Sequence, residues 1–201
     1  LSSEFTARSV RDGEARTVTF AQGIEQSDRW ESGVEERNGT LISFRVDEEV
    51  FGAYAYNMEY VEELVKNYTY LNLGLTFKLN GQSYVSKNGL LDLLNEKMSD
   101  APLYAPIHLS GDDIEVAIPH GSGYGESYYS FVNGQYTSQG GTHQAAFREA
   151  IAKTVKEFYH KDYDASDIRT SIIAAISVKV TAPVFESQTK IKLGSKEIEQ
   201  G

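Results

Sequence analysis

Apolar and polar residues alternate weakly over 5–11 and again over 16–20, with Asp12-Gly13 between them. Two alternating runs around a two-residue turn signal predict a β-hairpin. Residues 26–37 are polar and acidic around a lone Trp30, and without periodicity they read as an irregular loop. Asn38-Gly39 is a second turn signal, and 40–46 then reads as a strand. Asp47-Glu48-Glu49 is expected to be a solvated turn, because nothing nearby would desolvate a pair of catalytic carboxylates. Over 57–71 the period lengthens. Tyr60, Val61, Leu64, Val65, Tyr68 and Leu71 recur at helical spacing, which predicts an amphipathic helix with Glu62, Glu63 and Lys66 facing out. Asn72 and Gly74 stop it. Residues 75–79, the turn Asn80-Gly81 and 83–85 form a second hairpin pattern. The order hairpin, strand, helix, hairpin predicts an α+β half-sandwich.

A short helix over 88–98 follows, with Leu90, Leu91, Leu93 and Leu94 on its inner side. A domain boundary is placed just before it, giving 1–86 and 87–201. Residues 107–109 and 113–118 read as strands around Ser110-Gly111-Asp112. The glycines of 120–126 do not form a nucleotide cradle. That motif must follow a strand and open a helix, whereas this one joins two strand-like runs and reads as a hairpin loop before the strand 128–132. Gly140-Gly141 precedes a helix that Thr142 is expected to cap, with Phe147, Ala150, Ile151, Thr154, Val155 and Phe158 as its inner stripe. Such a glycine pair fits either phosphate binding or an N-cap with close backbone packing, and the second is preferred. Ser166-Asp167 fits the cap of a short turn, and 172–180 is a buried strand ended by Pro183.

Beyond that strand, Gln188, Thr189, Lys190 and Lys192 form a donor-rich loop on a stiff stalk. A lysine held there can reach an anion as a mobile point charge, although the residues alone equally suit a solvated loop.

Composition narrows the alternatives. The 201 residues suit one large or two small soluble domains, with 40% hydrophobic and 24% charged residues. A net charge of −10 opposes duplex DNA as a bulk partner. The absence of cysteine excludes disulfides and thiolate metal sites. No apolar run reaches the roughly 18 residues of a membrane span. The four histidines show no metal-ligand spacing, and His143, in the first turn of a helix, reads as packed or hydrogen-bonded. The chain opens at Leu1, and a portion of a longer protein is expected.

Two blocks carry a resemblance. Phe185-Glu186-Ser187-Gln188-Thr189-Lys190-Ile191-Lys192-Leu193-Gly194 is similar to the QTK loop of the ATPase subunit of bacterial type II DNA topoisomerases, the gyrase B and topoisomerase IV B proteins. Gln139-Gly140-Gly141-Thr142-His143 resembles that family's GGTH helix start. The variants Gln144-Ala145-Ala146-Phe147 and 166–172 lean towards topoisomerase IV B. The resemblance implies the end of a GHKL ATPase α/β sandwich over 1–86, followed by a transducer domain over 87–201, a mixed sheet with helices on one face. It implies ATP as ligand, with Lys190 contacting the γ-phosphate, Gln188 beside it, and Thr40 near the adenine. The Mg²⁺ ligands and most nucleotide contacts would lie upstream of Leu1, so the chain alone is expected to be inactive. It also implies a cytoplasmic enzyme that works on DNA with an A-type subunit, as a homodimer of the full subunit. In that family the tyrosine that attacks DNA lies on the partner subunit, so none of the 13 tyrosines takes that role. Two other readings stand beside this one: a mismatch-repair or chaperone machine of the GHKL type, which lacks the paired blocks, and a binding module with no nucleotide link.

Overall fold

The computed structural model describes residues 1–196, and the chain divides into two compact units, Leu1–Asn57 and Met58–Gly201. The first unit is a sheet of four antiparallel strands, β1 (Ser2–Arg11), β2 (Glu14–Ala21), β3 (Ile24–Ser32) and β4 (Gly39–Val46), in the order β3-β2-β1-β4. Register places Phe5 opposite both Phe20 and Phe44, and Ala7 opposite Val18 and Ile42, so one face is apolar. On the other face Arg8 donates to Thr17, to Glu31 and in a fork to Glu36. These bonds tie three segments of the sheet together.

Two expectations fail here. Residues expected to form a loop over 26–37 include most of β3, whose nine residues are all exposed. A strand solvated on both faces needs no apolar alternation, so it has no periodic signature. Its ladder to β2 holds it, helped by the Arg16–Asp28 pair at 2.7 Å, Arg16 stacked over Trp30, and a Thr19–Ser27 hydroxyl bond. Asp47, expected to be solvated, is buried. It caps the short helix α1 (Glu48–Phe51), accepting the Glu49 N–H at 3.0 Å.

The second unit contains α2 (Met58–Leu71), the hairpin β5 (Phe77–Leu79) and β6 (Gln82–Tyr84), and α3 (Leu90–Lys97). A five-stranded sheet follows: β7 (Ile107–Ser110), β8 (Ile114–Ile118), β9 (Ser127–Val132), β10 (Gln135–Tyr136) and β11 (Ile173–Val178), in the order β10-β9-β11-β8-β7. Between β10 and β11 come α4 (Thr142–Tyr159) and α5 (Ala165–Arg169). β11 is central, parallel to β9 and antiparallel to β8. Because β11 lies between them, β8 and β9 do not pair, and 120–126 is a crossover connection and not a hairpin loop.

Helices pack on this mixed sheet as expected, and each face has its own apolar cluster. Ala117, Phe131 and Ala175 meet Leu90, Leu93 and Leu94 of α3 and Tyr70 of α2. Val116, Val132, Ile176 and Val178 meet Val180, Leu193, Phe147 and Phe185. Burial on both faces is what makes β11 read as an unbroken apolar run. Each fully buried leucine of α3 contributes about 1.5–3 kcal/mol.

Four local expectations are corrected. In α2 the buried residues are Asn67, Thr69 and Tyr70, while Tyr60 and Leu64 of the expected inner stripe are 71% and 53% exposed. The contact with α3 is polar at its centre, since Tyr70 OH donates to Glu96, and Lys66 pairs with Glu96 at 3.1 Å. α4 buries His143 and Ala152, with Phe147, Ile151 and Val155 partly covered, whereas Ala150, Thr154 and Phe158 face solvent. Its N-cap is Gly141 and not Thr142, and Asp164, not Ser166-Asp167, caps α5. α2 packs with α3, so both lie in the unit Met58–Gly201.

Candidate functional site

The residues that follow β11 fold back as a short arm. Its turn closes where the Lys190 N–H donates to the Ser187 carbonyl at 3.0 Å. Its two sides are tied by Glu186 N–H to Lys192 C=O at 3.1 Å and Gly194 N–H to Val184 C=O at 2.8 Å. Phe185 and Leu193 form a bridge pair at the base, and both pack into the cluster around Ile176. The arm is therefore rooted in the core while its tip stays in water.

Gln188, Thr189 and Lys190 occupy the tip and are exposed. Lys190 adopts φ +57°, in the left-handed region that a residue with a Cβ enters at a cost of about 1–2 kcal/mol. The two lysines of the arm differ. Lys192 is paired with Glu186 at 2.9 Å, whereas Lys190 has no ion-pair partner among the described residues. The cation of the arm available to an outside anion is thus Lys190. Among the described residues no group of three or more His, Asp or Glu side chains could hold a metal ion.

The other motif lies directly beneath. Gln139 N–H donates to Ile191 C=O at 2.9 Å, Leu193 N–H to Gly140 C=O at 3.1 Å, and Thr142 N–H to Leu193 C=O at 3.1 Å. The two sequence blocks are zipped together through their backbones. Gly140 and Gly141 have φ +68° and +135°, and a Cβ on Gly141 would come within 2.5 Å of the Leu193 nitrogen and 2.8 Å of its Cα. Close backbone packing against Leu193 accounts for Gly141, and a left-handed φ beside the Gln144 side chain for Gly140, so no phosphate cradle is needed to explain the pair.

Below the zipper is a buried polar network that the sequence did not announce. Thr137 Oγ1 donates to Ser130 C=O at 2.8 Å, Ser130 Oγ reaches Gln144 Oε1 at 3.1 Å, and His143 Nε2 lies 3.3 Å from Thr137 Oγ1. Burial pulls the His143 pKa down to about 4, so the ring is neutral near pH 7. A second brace stands at the end of the crossover connection. Glu126 accepts a fork from Arg148 at 2.9 Å, a further donor from Arg169, and Tyr128 OH at 2.7 Å. Burial raises its pKa, but these donors together outweigh burial and hold it down to about 2. No sequence spacing betrays this brace, since Glu126, Arg148 and Arg169 come from three elements.

Thr40 sits in β4 opposite Ser9, exposed, on the face shared with Ile42 and Phe44. It belongs to the first unit, while Gln188 and Lys190 belong to the second.

The DNA gyrase B family model matches residues 57–201. The DNA topoisomerase 4 B protein of Borreliella burgdorferi is 43% identical over 198 residues, covering 98% of this chain and 33% of that protein. The DNA gyrase B protein of Staphylococcus epidermidis is 32% identical over 226 residues, covering 100% of this chain and 35% of the relative. The ATPase region of Saccharomyces cerevisiae topoisomerase II shares the fold, with a TM-score of 0.78 at 21% identity over 96% of this chain and 52% of that chain. The chain thus spans about a third of the length of these two curated relatives. With both motif blocks meeting in space and the family model matched from residue 57 onward, the chain belongs to the DNA gyrase B family.

Proposed function

We propose that this chain serves in the ATP-hydrolysing component, the B protein, of a type II DNA topoisomerase of the topoisomerase IV kind. Residues 1–86 would be the end of the ATP-binding domain and 87–201 the transducer. The observation that carries the reading is Lys190, without an ion-pair partner among the described residues and presented in water by an arm whose base is locked to the core and to α4. Lys190 would hold the γ-phosphate of ATP by a charge-assisted hydrogen bond worth roughly 1.5–3 kcal/mol. Gln188 would contact the same group, and Thr40 would lie near the adenine. Bound Mg²⁺ would neutralise the phosphates; among the described residues no group of side chains could hold it. Release of the terminal phosphoryl group would free the arm and bias the transducer's position, the usual logic of a nucleotide switch. The 43% identity to a topoisomerase 4 B protein, against 32% to a gyrase B, supports the topoisomerase IV assignment.

DNA, an A-type subunit and a second copy of the full B protein are the proposed partners, in the cytoplasm. The −10 charge supports DNA contact being made elsewhere in the assembly. The test is Lys190→Ala in the complete B protein. ATP turnover is expected to fall about a hundredfold while nucleotide binding is largely kept. Unchanged turnover would remove Lys190 from this role.

A further inference from the structure

The arm's position is set by a contact that leaves no mark on side-chain chemistry. Helix N-termini have free N–H groups that are ordinarily met by a capping side chain, water or an anion. α4 has no side-chain cap, and the Thr142 N–H instead donates to the Leu193 carbonyl of the arm at 3.1 Å. The arm returns the bond, since Leu193 N–H donates to Gly140 C=O at 3.1 Å. Gly141, between these two bonds, has no room for a Cβ, because the obstacle is the backbone of Leu193, which cannot rotate away. At Gly140 a Cβ would meet only the end of the Gln144 side chain.

We infer that the start of α4 is the dock of the arm, and that Gly141 and the Thr142 N–H are positioning elements for Lys190. Leu193 lies three residues from Lys190, on the same arm, and its side chain is buried in the cluster around Ile176. A shift of the dock moves the arm's inner side and is passed to the tip through the closed turn. Conversely, a pull on the tip reaches the first turn of α4, and from there the His143–Thr137–Ser130 network on β9 and the loop after β10. The dock is thus the mechanical link between a ligand held at Lys190 and the sheet of the second unit. This inference rests on the reading of Lys190 given above.

The cleanest variant is Thr142→Pro. Proline is favoured at the first position of a helix, so α4 keeps its start, while the ring removes the dock's N–H and its Cδ pushes the Leu193 carbonyl away. Gly141→Ala is the second variant, and Gly123→Ala is the control, because nothing lies within 4 Å of a Cβ there. All are made in the complete B protein. The first readout is the rate of trypsin cleavage after Lys190 and Lys192, which needs no nucleotide. The second is the split of ATP turnover into kcat and KM. Both dock variants are expected to speed cleavage of the arm severalfold. They should also lower kcat by about tenfold to a hundredfold, the usual effect of a misplacement near 1 Å, with KM little changed. The control should match the parent. Unchanged cleavage in both variants overturns the dock whatever the turnover does. A fall in kcat with unchanged cleavage also overturns it, because the loss would then arise elsewhere. If Lys190→Ala leaves turnover intact, the Lys190 reading fails alone, and cleavage still decides the dock.

Discussion

At the scale of single residues, charge and burial separate groups that look alike in the sequence. Lys190 and Lys192 are two residues apart, yet Glu186 neutralises one and leaves the other available. Reversing that choice is testable. Glu186→Gln is expected to free Lys192 as a second cation and to strengthen the salt dependence of nucleotide binding by the full B protein, measured by titration at two ionic strengths. His143 offers a different test. Its pKa falls to about 4 in the fold from an ordinary 6.5, so the unfolded chain binds a proton first as the pH drops. The stability it confers is present above about 6.5 and is lost on descending to about 4. The loss is roughly 3 kcal/mol by the linkage between proton affinity and folding. His143→Gln should flatten that stretch of the denaturation profile.

Elements are held by braces whose members lie far apart in the chain. Glu126 joins the crossover connection to α4 through Arg148 and to α5 through Arg169. Its carboxylate, held down to about 2, stabilises the fold above the ordinary carboxylate pKa and loses that contribution as the pH falls towards 2. Glu126→Gln keeps the shape and removes the charge, leaving two arginines without their shared partner. A cost of about 1–3 kcal/mol at neutral pH is expected from urea denaturation. α3 shows the apolar counterpart. Leu93 is fully buried under the sheet, and Leu93→Ala should cost about 2–5 kcal/mol by the same measurement. These elements were legible to different degrees. The leucines of α3 and the run of β11 declare themselves because burial selects for apolar residues at fixed spacing. β3 and the orientation of α2 did not. The first has no buried face, and the second is turned by a tyrosine–glutamate bond that helical spacing cannot express.

For the molecule as a whole, the two units differ in how much core they own. The described buried apolar residues of the first are Val10 and Ala15, whereas the second has two clusters, one on each face of its central sheet. Backbone amides of 1–57 are therefore expected to exchange with deuterium faster than those of β8, β9 and β11, as hydrogen-exchange mass spectrometry of this chain would read out. Equal protection in the two would mean that the first sheet is held by something other than its own packing.

By itself the sequence determined which segments are strands and helices wherever a face is buried, and it carried the two blocks that mark the family. Periodicity records burial, and short motifs record local backbone needs, so both survive in one dimension. Tertiary structure alone decided that the two blocks touch, that Gly141 makes room for the backbone of Leu193, and that Lys190 is the lysine of the arm left without an ion pair among the described residues. Those facts depend on which backbones approach and which charges meet across distant positions, and no spacing along the chain encodes a distance in space.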